Sequence, residues 1–190
     1  MRFKSPFFIA LCFIISSASA QKYTSGNTSE VKSSWDGISF SSQKTFQENI
    51  KDVPRLSYLA KIVSEEQISE ALANEEMVTI FAPMDMAFTS LAEEKRDALL
   101  FNTSRVNNMV KFLSIPGRLD KNSITTAIDK NGGTAYFTTL SGETIGAKLL
   151  DGQVVLFDSE KNIATIAAVN FYHKNGFFHI ISGLVYPSEE

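Results

Sequence analysis

Apolar positions along the chain change their period near residue 134. Before that point they recur every three or four residues, which puts them on one face of a helix. Leu56, Leu59, Ala60 and Val63 form one such stripe, with Pro54 just ahead of it. Ile68, Ala71 and Leu72 form a second, with Glu65, Glu66 and Glu70 turned outward. The run Met77, Val78, Thr79, Ile80, Phe81, Ala82 is too short and too β-branched for a helix, so it predicts a strand that Pro83 ends. Helices follow over 84–91 and 93–101. A longer one, capped by the hydroxyl of Thr103 or Ser104, carries Val106, Met109, Val110 and Leu113 and stops at Pro116-Gly117. One more helix, capped by Ser123, presents Ile124, Ala127 and Ile128.

From residue 134 the period falls to two. Strands are predicted over 134–140, 143–150, 153–158, 163–172 and 177–186, with turns at Ser141-Gly142, Asp151-Gly152 and Lys174-Asn175-Gly176. Asp-Gly is a strong hairpin signal, because both central residues of a type I′ turn need positive φ. Helices first and strands after give an α+β domain, with N-terminal helices packed on an antiparallel, sandwich-like sheet.

The first residues follow another logic. Arg2 and Lys4 precede nine uncharged apolar positions from Phe7 to Ile15, and Ala18-Ser19-Ala20 stands just before Gln21. This predicts a secretory signal peptide over 1–20 and an exported protein, whether secreted, periplasmic or held at the cell surface. Nine apolar residues are too few to span about 30 Å of hydrocarbon as a helix. Residues 21–43 are rich in Ser, Thr, Asn and Gly and predict a flexible leader, in which Trp35 and Phe40 either dock on the domain or stay solvated. Residues 44–190 then form one domain, long enough to bury a core without a disulfide or metal staple.

Composition narrows the function. Of 190 residues 44% are hydrophobic and 21% charged, which is ordinary for a globular chain. Taking Arg2 and Lys4 from the 18 basic side chains leaves 16 against 21 acidic ones, a net charge of −5. That balance argues against nucleic acid as a partner. Cys12 leaves with the signal peptide, and with it any thiol chemistry. No later stretch is long and apolar enough to be a transmembrane segment. His173 and His179 are the two histidines, and neither sits in an H-E-x-x-H spacing. Nucleophile-elbow and phosphate-loop glycine patterns are absent, and Asn131-Gly132-Gly133 precedes a strand rather than opening a helix. Glu65-Glu66, Glu75-Glu76 and Glu93-Glu94 are adjacent pairs, and adjacent helical residues diverge by about 100°, so none makes an acid/base pair. No catalytic residue, metal site or cofactor is expected. The sequons at Asn27 and Asn102 fit an exported chain.

Two segments carry a resemblance. Thr79-Ile80-Phe81-Ala82-Pro83-Met84-Asp85-Met86-Ala87-Phe88 resembles the first signature of the fasciclin domain, T-V-F-A-P-T-D-E-A-F. Asn175-Gly176-Phe177-Phe178-His179-Ile180-Ile181, followed by Leu184-Val185-Tyr186-Pro187, is similar to its closing signature, N-G-V-I-H-V-I-D-x-V-L-x-P. Between them Phe112-Leu113-Ser114-Ile115-Pro116-Gly117 stands where the family has Y-H-V-V-P-G. Order and spacing agree from about Thr45 to Ser188. The resemblance implies a fasciclin-like fold and a non-catalytic adhesion or protein-interaction module outside the cytoplasm. Its partner would be an extracellular or envelope protein or a glycan. The alternative is a secreted or periplasmic carrier of a small glycan or lipid, held between helices and sheet.

The same resemblance makes Thr79, Phe81, Pro83, Asp85, Phe88, Asn175, Gly176 and His179 the candidate binding residues. Their physical reading is structural. Pro83 cannot extend a ladder. Asp85 lies near a helix start, where a carboxylate accepts free backbone N–H groups. Phe81 and Phe88 turn inward, and Gly176 supplies a positive φ at the last hairpin. Met84 and Met86 replace the usual threonine and acidic residue, and Phe112-Leu113 replaces the Tyr-His pair. Without phenol or imidazole that position becomes apolar, which argues against an integrin-type contact. His179 then needs a new polar partner. It is expected to stay buried and neutral, titrating below His173, which is placed beside an exposed turn.

Overall fold

The computed structural model describes residues 29–188, so the signal peptide predicted over 1–20 lies outside the described residues. The described chain begins with strands β1 (Lys32–Trp35) and β2 (Ile38–Ser41). Helix α1 (Phe46–Ile50), a 3₁₀ turn (Pro54–Leu56), α2 (Ser57–Ile62) and α3 (Glu66–Ala73) lead to β3 (Val78–Pro83). After it come α4 (Asp85–Thr89), α5 (Glu93–Leu100), α6 (Thr103–Phe112), β4 (Ser114–Pro116) and α7 (Lys121–Lys130). The chain closes with β5 (Thr134–Thr138), β6 (Thr144–Leu150), β7 (Gln153–Phe157), β8 (Ile163–His173) and β9 (Gly176–Ile181). The α+β class and the change of period at residue 134 both appear in this order.

Local chemistry sets the helix starts. Thr45 opens α1 with a capping box: its hydroxyl accepts from the Glu48 N–H at 3.1 Å, and the Glu48 carboxylate accepts from the Thr45 N–H at 2.7 Å. Asn102 caps α6, ahead of the expected Thr103 or Ser104, accepting from the Arg105 N–H at 3.0 Å. Asp120 caps α7 in place of Ser123, whose N–H it accepts at 2.7 Å. An amide or carboxylate oxygen reaches the free N–H groups as well as a hydroxyl does.

Seven strands form one ladder in the order β4-β3-β9-β8-β7-β6-β5. Every neighbouring pair is antiparallel except β3 and β9, which run parallel from Val78↔Gly176 to Pro83↔Ile181. The Leu140 N–H, just past β5, donates to the Ser114 carbonyl of β4 at 2.8 Å, so the two ends of the ladder meet and the sheet folds around its core. Helix α7 packs against β5 and β6, where Ala135, Ile145 and Ala147 are buried with Ile124 and Ile128. On β3 and β9 both faces are covered. Phe178 meets Phe46 edge-on at 5.4 Å, and the opposite face lies under the loop that leads into α7.

The predicted leader requires a correction. Over 32–41 it is a hairpin, not a flexible tether, turning at Asp36 and Gly37 with φ of 52° and 78°. Phe40 is 1% exposed, with its ring 5.0 Å from both Phe171 and Phe178 in edge contacts. Half-buried Trp35 lies under the Arg55 guanidinium at 4.8 Å, and Arg55 also pairs with Asp36 at 3.3 Å. Trp35 and Phe40 therefore dock. β9 also ends at Ile181, earlier than the expected residue 186; the Ser182 N–H still donates to the Thr165 carbonyl of β8 at 3.0 Å before the chain leaves the ladder.

Candidate functional site

The signature residues come together around β3 and β9. Thr79 is fully buried, and its hydroxyl bridges the loop above it: it donates to the Gly117 carbonyl at 2.8 Å and accepts from the Leu119 N–H at 2.9 Å. His179 binds the same loop. Its Nε2 lies 2.8 Å from the Leu119 carbonyl, and its Nδ1 accepts from the Asn170 N–H at 3.3 Å. Those two bonds fix one neutral tautomer, with the proton on Nε2. Phe81 stacks on the imidazole at 5.7 Å, in the parallel register Phe81↔His179. Burial pushes His179 below the usual histidine range, against the Leu119 carbonyl and the Asp120 charge. The polar partner that His179 lost with the Tyr-His pair is thus replaced by backbone. Phe112 and Leu113, which occupy that place, are each 1% exposed.

Pro83 ends β3 opposite Ile181. Asp85 follows at the start of α4, yet its carboxylate serves another helix. It accepts from the Ser57 hydroxyl at 2.7 Å and from the Tyr58 N–H at 3.0 Å, at the first turn of α2. Phe88 is fully buried and stacks on Tyr58 at 5.3 Å. Asn175 donates to the carbonyls of Leu72 and Glu75 at 2.8 and 2.9 Å, closing the end of α3. Gly176 has φ of +158°, but the tighter demand on it is the close approach of the Val78 backbone. Half-buried Asp85, Asn175 and Gly176 lie at the margins of this cluster, and the other five are buried.

His173 departs from expectation. It is 3% exposed rather than beside solvent, because the ring sits 5.9 Å from Phe46 of α1. Its Nε2 lies 3.1 Å from the Phe177 carbonyl, while its buried Nδ1 makes no direct hydrogen bond. Burial pushes its pKa down to about 4, only partly offset by polar groups of Phe177, Val78 and Asn175.

The latch at Thr79 gives a direct test. Thr79→Val keeps the shape but leaves the Gly117 carbonyl and the Leu119 N–H without their partner, a loss of about 1–3 kcal/mol. Urea unfolding should show a lower midpoint with an unchanged slope. An unchanged midpoint would mean that the hydroxyl latch holds nothing.

Away from these residues, one apolar row faces outward. Tyr136, Gly146, Phe157 and Ile163 are consecutive cross-strand partners on β5, β6, β7 and β8. Tyr136 is 66% exposed and Ile163 47%. The Phe157 ring lies on the Gly146 backbone, where a Cβ would run into it, and Tyr136 meets that ring edge-on at 5.8 Å. Lys148 brings its ammonium over the same ring at 5.4 Å. α7 covers the other face of β5 and β6, where Ala135, Ile145 and Ala147 are buried. The sequence carried a signal for the row: a glycine in mid-strand marks a position where something packs on the backbone. A hollow of about 160 Å³ lies between α1 and α3, lined by Phe46, Val63, Leu72, Ala73, Thr45 and Asn175 among others. Among the described residues no three His, Cys, Asp or Glu side chains gather as a metal site would need, and no helix is long and apolar enough to cross a membrane.

Residues 54–187 match the family model described as the fasciclin domain. The chain is 31% identical over 134 residues to protein sll1483 of Synechocystis sp., covering 69% of this chain and 67% of that one. Among solved structures it is similar to a FAS1 domain pair from the insect cell adhesion molecule fasciclin I, with a TM-score of 0.62 and 16% identity. That match covers 74% of this chain and spans half of the insect chain.

Proposed function

The chain belongs to the fasciclin domain family, and from that premise we propose that it is an extracytoplasmic, non-catalytic interaction module. It docks an extracellular or envelope protein on the outer face of β5–β8. The observation that carries this reading is the in-register row of Tyr136, Phe157 and Ile163. A rigid aromatic pair flanked by an aliphatic residue and a lysine stem has the composition of an interface hot spot, where aromatic side chains dominate. Export rests on the signal-like residues 1–20. The signature residues supply the frame. Their polar atoms are taken up internally, and both histidines are buried and held neutral, so neither offers an acid or base to a substrate. The hollow of about 160 Å³ is small beside the roughly 300–1,000 Å³ of typical small-ligand sites, and a wider hollow of about 520 Å³ along α7 is lined mostly by polar side chains, among them Asp120, Asn122 and Lys130, rather than by the apolar wall a carrier needs, which weighs against the carrier reading.

The exported chain, immobilised and exposed to an extracellular or envelope extract, should retain a protein partner. Tyr136→Asp and Ile163→Asp should each lower that retention at least tenfold with only a small fall in melting temperature, because both side chains are exposed. Retention that survives both substitutions would remove this face as the docking surface. Retention lost on destroying glycans in the extract, but not on proteolysis, would assign the partner to glycan instead.

A further inference from the structure

The hairpin β1–β2 belongs to the fold through side chains rather than through the ladder. Its four cross-strand pairs are closed within itself, and it joins no strand of the seven-stranded ladder. It also precedes the span matched by the family model, residues 54–187. Three contacts dominate its hold on the rest of the domain. Phe40 fills a socket walled by Phe171 and Phe178. The Asn49 amide of α1 accepts from the Ser41 N–H at 2.8 Å and donates to the Ser41 carbonyl at 3.0 Å. Arg55 covers Trp35 and pairs with Asp36. The link between hairpin and α1 is short and solvated. Gln43 and Lys44 are exposed; the Lys44 N–H folds the link back by donating to the Ser41 carbonyl at 3.2 Å, and the Lys44 carbonyl accepts from the Lys174 N–H at 2.7 Å and from the Asn49 amide at 3.2 Å.

We propose that this hairpin is an exchangeable arm by which two copies of the chain join, each placing its Phe40 in the other's socket. Every contact that holds the arm lies between the hairpin and residues beyond the link. Exchange therefore replaces each by its own copy and costs only the turn at residues 41–44. No strand of the main ladder has to separate. In the closed chain the arm competes for its socket at an effective concentration of about 1 mM, the order expected for a short linker. Dissolved chains at micromolar concentration are then monomers, and exchange sets in where copies crowd, as on a densely covered surface. The arm does not depend on the row across β5–β8, and it names the second partner of the module as another copy of itself.

The test shortens the link. Deleting Gln43 and Lys44 from the exported chain removes the fold-back, so the arm cannot reach its own socket and dimers should form at about 10–100 μM, far below the millimolar range set by the intact link. Light scattering reads the mass. Adding Phe40→Ala to the shortened chain should return it to monomer, and Tyr136→Asp should leave the dimer intact. A folded, monomeric shortened chain would overturn the proposal, as would a dimer that keeps its mass after Phe40→Ala. The unmodified chain gives a second reading that does not need the deletion to fold. Unlabelled and nitrogen-15 chains mixed at about 1 mM should yield mixed-mass dimers by native mass spectrometry, and Phe40→Ala chains should not. Absence of mixed dimers at that concentration would sink the arm while leaving partner capture by the sheet face untouched.

Discussion

Gly176→Ala should remove a large share of the domain's stability. A Cβ on Gly176 would fall inside the contact radius of the Val78 carbonyl oxygen, and 2.8 and 3.0 Å from the carbon and nitrogen of the same residue. These are backbone atoms, so no side chain can swing aside. β3 cannot retreat, because it is held by β4 on its far side and by the Thr79 latch. Asn175 cannot retreat either, since its amide is tied to the end of α3 and its carbonyl accepts from the Val78 N–H at 2.9 Å. Relief therefore means opening the β3–β9 pair, with an expected loss above about 4 kcal/mol, out of a domain stability of order 5–15 kcal/mol. Gly152→Ala is the control. Its φ is +76° but nothing lies within 4 Å, so only the left-handed backbone is penalised, by about 1–2 kcal/mol. Urea titration of both variants decides the matter: similar losses would show that close approach is not what Gly176 is for.

Acid should weaken the fold well before its carboxylates protonate. His173 and His179 are both buried, and burial lowers both pKa values, that of His173 from the ordinary 6.5 to about 4. The unfolded chain then binds protons that the native chain refuses. Stability is full above pH about 6.5 and falls as pH drops toward the folded values. For His173 alone the drop from 6.5 to about 4 corresponds to about 3 kcal/mol, and His179 adds in the same direction. Protonation of His179 also puts a second N–H against the Asn170 N–H, which now donates to Nδ1. Urea midpoints at pH 7, 6 and 5 should decline, and the decline should be shallower in either His173→Leu or His179→Leu. A flat profile, or a proton resonance of either imidazole titrating above pH 6.5, would show that burial does not hold them neutral.

Much of this molecule was legible in its residues. Regular spacing marked α2, α3, α6 and α7 and the strands from β5 to β8, because each buries one face and its period must match. What escaped was either non-local or judged on composition. The serine content of Lys32–Ser41 points to a leader, yet Asp36-Gly37 repeats the Asp151-Gly152 hairpin signal, with φ of 52° and 78° against 50° and 76°. Trp35, Ile38 and Phe40 flank it as apolar positions, so turn chemistry outweighed polarity there. β4 has three residues, too few for a period. The parallel pairing of β3 with β9 has no local trace, although Gly176 in the closing signature marks where the two strands touch. His173 looked exposed because it stands beside a turn, and only the packing of α1 shows that it is roofed. Among the candidate binding residues, Phe81 and Phe88 pack inward as their signature positions predict, whereas Asp85 caps α2 rather than its own helix.

The pairing of β3 with β9 also has a consequence in time. β9 lies between β3 and β8 in the ladder, yet it is the last of the described strands to be made. Until Ile181 has emerged from the ribosome, β3 has no partner on that side and the socket for Phe40 lacks Phe178. Local helices can flicker early, but the sheet must wait for a loop that encloses most of the domain to close, and such high contact order slows folding. The core is thus completed only once nearly the whole domain has been synthesised, however early its helices form.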